Sequence, residues 1–294
     1  MLIAYVRAKL AGTFNNIVKK KFVNGSAVLS VLALFLQHSR AATLFWSADG
    51  TTAGGAGTWD TTSARWGSAA SGPFPSIWNN VNVDSPSFGG TAGTVTLSTA
   101  MTVNSLITTV NGYIFSGSPV LTFSGANAGV VANHVTSSTT LSCNYTGSIL
   151  NKSGTGRLEL NNSLNTIGKY KVTGGFLTFP SVNRFGTAPA SLVADYFNLD
   201  GGGLAGSGAT GSLGATRGIT IGAGGAFLGN SSPANSLTIN GPITRDCRRG
   251  ADCHYRQSFL FPHNFRRYLD SWQYRKRLER TDHGFGRHSE IRRF

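Results

Sequence analysis

Between residues 43 and 244 the chain repeats one small unit: two apolar residues separated by a single residue, followed by a turn. Val95 and Leu97, Tyr113 and Phe115, Leu121 and Phe123, Leu158 and Leu160, and Tyr170 and Val172 are such pairs. Leu177 and Phe179, Phe197 and Leu199, Ile219 and Ile221, and Leu237 and Ile239 continue the series. A spacing of two places both side chains on one face of an extended strand. Gly-Gly, Ser-Gly, Asn-Gly and Asn-Asn fall between the pairs, where residues that tolerate positive φ turn the chain. No helical period is sustained, and there are few Glu, Lys or Arg to support one. The segment is expected to be all-β.

Short strands at this spacing fit a sandwich, a barrel or a β-solenoid. Three features favour the solenoid. Turns are as frequent as strands. Thr, Ser and Asn recur at outward positions, where stacked copies can form hydrogen-bonded ladders. The pattern Gly-x-Leu-x-(Leu/Phe) occurs at Gly156 and again at Gly175, which puts Leu158 and Leu177 nineteen residues apart, close to one solenoid coil.

The formal net charge of +14 belongs to the ends. Residues 43–244 hold seven Lys/Arg and six Asp/Glu, residues 1–42 hold six basic residues and no acidic one, and residues 245–294 hold thirteen basic and six acidic. A polyanion-binding reading therefore rests on the ends alone. Residues 1–41 read as a signal peptide with an extended n-region. Lys19, Lys20 and Lys21 flank an apolar run at residues 27–36, and Ser39 and Ala41 supply the small residues a signal peptidase reads. Cleavage is expected after Ala41. The run is too short for a membrane anchor, which needs roughly 20 residues. Three cysteines, Cys143, Cys247 and Cys253, do not make a disulfide framework.

Candidate chemistry in the middle is sparse. Six carboxylates, Asp49, Asp60, Asp84, Glu159, Asp195 and Asp200, are scattered along the sequence, whereas sugar-cleaving solenoids need them clustered. Asp195 and Asp200 can share a turn region, and turn-capping by Asp is the favoured reading. His134 has no acid nearby and reads as a surface histidine. No catalytic, cofactor-binding or metal-ligating residue is expected. Trp46, Trp59, Trp66 and Trp78, with Phe45 and Phe74, form the best binding candidate, because indoles stack on sugar rings. The competing and favoured reading is that they cover the apolar end of the first coil.

The order of motifs resembles a known family. Ser153-Gly154-Thr155-Gly156-x-Leu158-x-Leu160, then Asn165-Thr166, Gly168, Val172, Gly174-Gly175 and Leu177, is similar to the autotransporter-associated β-strand repeat of bacterial surface proteins. Leu199-Asp200-Gly201-Gly202-Gly203-Leu204 and the segment from Arg217 to Gly225 resemble the stretch located after that repeat in large members. Gly57-Thr58-Trp59-Asp60, Trp66, Trp78-Asn79 and Phe88-x-Gly90-Thr91 resemble the N-terminal entry to such passengers. The resemblance implies an exported, right-handed parallel β-helix without catalysis, truncated here and lacking the family's C-terminal membrane barrel. It further implies a Gram-negative-type cell surface, outer membrane or extracellular location and a role related to adhesion. The alternative is a secreted carbohydrate-binding or carbohydrate-active β-helix. Expected partners are cell-surface glycans or outer-membrane components rather than nucleic acid. The organisation is then residues 1–41 signal peptide, 42–90 cap, 91–244 solenoid and 245–294 tail.

The tail departs from this pattern. Gly-Thr alternation stops after Gly241-Pro242-Ile243-Thr244 and gives way to Arg, His and aromatics. Cys247, Cys253, His254 and His263 do not match zinc-ligand spacing. No alternating strand precedes the terminal Phe294 to make it a barrel end. Glycine codons read one base out of register often become arginine codons, so the tail reads as a frameshifted continuation, irregular or disordered. Translating the other two frames of the DNA beyond codon 244 is expected to restore a Gly/Thr-rich β-repeat; if neither frame does, the frameshift is refuted.

Overall fold

The computed structural model describes residues 41–125, 127–135, 137–231 and 235–245, together with the backbone of Tyr255–Gln257. Residues 1–40 of the expected signal peptide 1–41 and the rest of the basic tail, including Cys247, Cys253, His254, His263 and Phe294, lie outside the described residues.

The chain winds as a parallel β-solenoid whose coils are built from short strands on three sides. One coil runs through Ser105–Thr108, Ile114–Ser116 and Val120–Phe123, and the next through Gly129–Ala132, Ser138–Leu141 and Asn144–Gly147. Each strand pairs in parallel with its counterpart one coil away: Leu106 with Val130, Phe115 with Leu141, Leu121 with Tyr145. Stacking produces a ten-stranded sheet on one side and a nine-stranded sheet on the second. The third side holds a four-stranded sheet, from Met101–Val103 to Asn165–Ile167, and further on the two-stranded pair Gly211–Ser212 and Leu237–Thr238. Between these two sheets that side is a 3-10 turn at Val182–Phe185.

Apolar pairs point inward as their spacing dictates. Val95, Tyr113, Phe115, Leu121, Leu158, Leu160, Tyr170, Val172, Leu177, Phe197, Leu199 and Ile219 are buried. Register makes them columns. Thr139, Leu158, Leu177, Leu204 and Leu228 are successive partners along the second sheet. Outward hydroxyls stack in the same way: Thr96 meets Ser116 at 3.1 Å, Thr146 meets Thr166 at 2.6 Å and Thr220 meets Thr244 at 3.1 Å.

The ladder starts inside the segment expected as the cap. Thr43–Trp46 pairs in parallel with Ser85–Phe88, and Trp66–Gly67 pairs antiparallel on the other side of Thr43–Trp46. At the other end, Tyr255–Gln257 pairs in parallel with Ala226–Asn230, so this piece of the tail joins the second sheet.

At the corners, coils approach more closely than a side chain allows. Gly175 has φ +58°, and a Cβ built there would sit 2.1 Å from the Gly156 carbonyl oxygen. Gly214 also has positive φ, +85°, but a Cβ there would meet nothing within 4 Å. Gly175→Ala is therefore expected to lose about 3 kcal/mol of unfolding free energy, from strain and collision together. Gly214→Ala should lose about 1 kcal/mol, from the left-handed backbone alone. Chemical denaturation of both variants checks the difference; equal losses would refute the corner-contact account.

Candidate functional site

The candidate tryptophans are brought together. Trp46 sits at the end of the first strand, Trp59 ends Gly57–Trp59, and Trp66 opens the antiparallel strand. Ring centroids lie 5.2 Å apart for Trp46–Trp66, 5.2 Å for Trp59–Trp66, 5.0 Å for Trp59–Trp78 and 4.8 Å for Trp66–Trp78. Phe88 packs under three of them. Relative exposures are 1%, 0%, 0% and 1% for Trp46, Trp59, Trp66 and Trp78, and Phe74 is also buried. Phe45 is half-buried. The indole N–H of Trp46 donates to the Gly55 carbonyl at 3.0 Å and that of Trp78 to Asn80 Oδ1 at 3.0 Å. The rings pack tilted or edge-on against one another and are buried, so a sugar would find no indole face in solvent.

Beside this cluster lies an open groove of about 870 Å³, lined by Leu44, Ile77, Trp78, Asn79, Asn82 and Asp84 among others. Val83, between the lining residues Asn82 and Asp84, has φ 52° and is the non-glycine residue with positive φ among the described residues. A β-branched residue adopts that conformation only when its surroundings impose it.

The carboxylates are not gathered. Asp49 accepts the backbone N–H groups of Thr51 and Thr52, and these bonds, chiefly the one from Thr52, hold it well below the usual range. Asp60 caps Thr62 and Ser63 in the same manner. Asp195 pairs with Lys169 at 2.8 Å, and the hydrogen bond from Lys169 lowers its pKa. Asp200 accepts the Gly224 N–H at 2.6 Å. Asp195 and Asp200 thus turn to different coils and serve as turn and ladder residues. Among the described residues, no three His, Cys, Asp or Glu side chains come together as a metal site would require.

His134 corrects an expectation: it is 5% exposed, not a surface residue. Its Nε2 meets the Thr139 hydroxyl at 2.9 Å, and that hydroxyl meets Thr108 Oγ1 at 2.6 Å. Thr139 stands in a core column next to Leu158, so its hydroxyl needs a buried partner, and His134 folds inward to supply one. Burial, with the positive charges of Lys152 and Arg157, lowers the His134 pKa.

Lys152 was not singled out from the sequence. It occupies the inward column of the first sheet, between Val130 and Val172, and is fully buried. Nζ donates to the carbonyls of Ser153 at 2.7 Å, Gly154 at 3.1 Å and Gly174 at 3.1 Å. Three acceptors match the three N–H groups of an ammonium, while burial pushes the pKa down to about 7. Arg217 is treated alike: 5% exposed, it donates to the Leu213, Phe185 and Gly186 carbonyls and lies over the Tyr196 ring. The available signal was alignment of coils: Leu150-x-Lys152 falls in register with Tyr170-x-Val172.

Comparison with known proteins identifies one kind of relative. The chain is 37% identical over 210 residues to "Adhesin BmaC autotransporter" of Brucella suis biovar 1 (strain 1330), an alignment covering 69% of this chain and 6% of that protein. The chain thus spans a small fraction of the relative's length. No protein-family model and no solved structure matches it. The relative is an autotransporter and the fold is a parallel β-solenoid, as the order of motifs implied.

Lys152 makes stability depend on pH in a definite direction. The ordinary lysine value, about 10.4, exceeds the folded one, so the unfolded chain holds the proton more tightly. The cost of burying the charge is complete below about pH 7 and is relieved as pH rises toward 10, by up to about 1.4 kcal/mol per pH unit. Burial of the Cys143 thiol, pushed up to about 12, acts oppositely above pH 9. The difference in urea-unfolding free energy between the native chain and Lys152→Met cancels the thiol contribution. It should climb in favour of the native chain from pH 7 to pH 10; a flat difference would show that the lysine keeps its proton throughout.

Proposed function

We propose that this chain, a β-solenoid of the autotransporter passenger type, is a stalk-like segment of an exported surface protein whose role is adhesion. The observation that carries this reading is the solenoid joined to an adhesin relative at 37% identity. Backbone hydrogen bonds run along the stacking direction, and the parallel strands of the first sheet rise roughly 40 Å at about 4.8 Å per coil. Thr and Ser stack along the outward face, while Asp49, Asp60, Asp195 and Asp200 are held in turns and ladders. Such a body supports a presenting and contacting role better than a hydrolytic one. In this reading the four tryptophans seal the first coil rather than hold a glycan. The same kinship supports placing it at the cell surface or outer membrane.

The chain fused to an outer-membrane anchor and displayed on non-adherent cells tests this. Antibody labelling of intact cells and several-fold more attachment to surfaces or host cells than with the anchor alone are expected. Changing Asp195 and Asp200 together to Asn should leave attachment unchanged. Failure to label intact cells, or polysaccharide turnover lost with that double change, would overturn the proposal.

A further inference from the structure

Asp84 is a carboxylate that neither the core nor the ladders account for. It is 5% exposed, and its Oδ1 accepts the backbone N–H of Ala42 at 2.8 Å. Its neighbour Ser85 donates its N–H to the Ala42 carbonyl at 2.7 Å, and Thr43 pairs with Ser85 as the first rung of the sheet. Ala42 is thus fixed by hydrogen bonds on both its nitrogen and its oxygen. The ion pair found among the described residues joins Lys169 to Asp195, so no cationic side chain there compensates Asp84. Burying a carboxylate against one neutral donor is unfavourable unless a charge or further donors answer it. The loop that delivers Asp84 is itself held in an unfavourable conformation at Val83, φ 52°. A position that tolerates a strained backbone to aim a buried carboxylate at one main-chain nitrogen calls for a reason.

That nitrogen is the one exposed by the cleavage expected from sequence. Ser39 and Ala41 are the small residues a signal peptidase reads, and both Ala41 and Ala42 are exposed, within reach of an enzyme. We propose that cleavage between Ala41 and Ala42 creates an α-ammonium that Asp84 receives as an ion pair, locking the first rung of the solenoid when the chain is processed. Water adds across the peptide bond under a signal peptidase; the carboxylate remains on Ala41, and the freed amine of Ala42 takes a proton. The same nitrogen then changes from a single neutral donor to three donors bearing a full positive charge. Charge-assisted bonds of that kind are shorter and stronger than the neutral one they replace. The precursor makes the weaker bond, and the processed chain the stronger one.

The proposal rests on export of the chain, and two measurements keep the failures apart. First, the mature protein recovered from exporting cells is sequenced from its N-terminus. A start at Ala42 is expected; an exported product starting elsewhere overturns the proposal, whereas a chain retained whole in the cytoplasm overturns the export reading with it. Second, thermal midpoints are compared for the chain beginning at Ala42 and running to Phe294, and for the same chain carrying a Gly-Ser extension, each with Asp84 or with Asp84→Asn. Asp84→Asn should lower the midpoint of the Ala42-starting chain by about 3 °C more than that of the extended chain. Equal losses in both backgrounds overturn the ion pair. Should Asp84→Asn fail to fold, acetylation of the Ala42 amine in the unmutated chain replaces it and should lower the midpoint by a similar amount; no change refutes the pair.

Discussion

The parallel hydrogen-bonded ladder is the constraint on which everything else in this protein depends. Coils stacked about 4.8 Å apart leave each residue directly above and below its counterparts. A residue is therefore chosen for its column, not only for its strand. Columns pointing inward fill with Leu, Val, Ile, Phe and Tyr, since each member covers the apolar surface of the next. Columns pointing outward fill with hydroxyls and amides that bond along the stack, as Asn162 does to Asn144 at 3.1 Å. Corners fill with glycine where one coil's carbonyl would strike a Cβ of the next, as at Gly175. Among the described residues stability then accumulates coil by coil without a disulfide, and Cys143 is a buried apolar residue.

This organisation explains which features were legible in the sequence. Period-two pairs such as Tyr113 and Phe115 announce strands locally, because burial of both follows from the pleat alone. The nineteen-residue return from Leu158 to Leu177 announces a coil, and both leucines prove to be adjacent in one column. The concentration of tryptophan near the start announces a large apolar mass in a region otherwise poor in core residues. What remained illegible was set by neighbouring coils. Asn-Lys-Ser reads as a solvated turn, yet Lys152 is buried because its column passes between Val130 and Val172. Ala-Asn-His-Val-Thr reads as a loop, yet His134 is buried because Thr139 stands in a leucine column and its hydroxyl has to be satisfied. Both facts depend on neighbouring coils: Val130 and Val172 flank Lys152, and Leu158 lies beside Thr139, the partner of His134.

Those polar intrusions show how the ladder absorbs exceptions. A buried ammonium costs free energy unless acceptors surround it. The corner beside Lys152 supplies them cheaply: Ser153, Gly154 and Gly174 turn their carbonyls toward Nζ, two from its own coil and one from the next. Arg217 repeats the device near the 3-10 turn, using Phe185 and Gly186. At both sites a long cation ties adjacent coils together where the backbone bends and cannot pair with itself. The register step from Tyr170 to Phe197 is longer than that from Leu150 to Tyr170, and the 3-10 turn with its buried Phe185 occupies the surplus. Coil length can thus vary without breaking the stack, provided the corners find donors for their carbonyls.

The two edges of the first sheet are not alike, and the difference gives the stack a direction. At one edge, Trp66–Gly67 pairs antiparallel with Thr43–Trp46, and Trp46, Trp59 and Trp78 pack against Trp66. An antiparallel strand cannot template another parallel coil, so growth of the ladder stops there, and an edge otherwise open to aggregation is covered. At the other edge, Ile243–Arg245 pairs on one side with Arg217–Ile221, and its three residues are exposed. The second sheet shows how such an edge is used, since Tyr255–Gln257 lies alongside Ala226–Asn230 in parallel register. Among the described residues the first sheet therefore ends on an antiparallel strand at one edge and on a parallel strand at the other. The Ala42–Asp84 contact adjoins the first rung of this sheet, just ahead of Phe45 and Trp46, the two residues that Trp66–Gly67 covers.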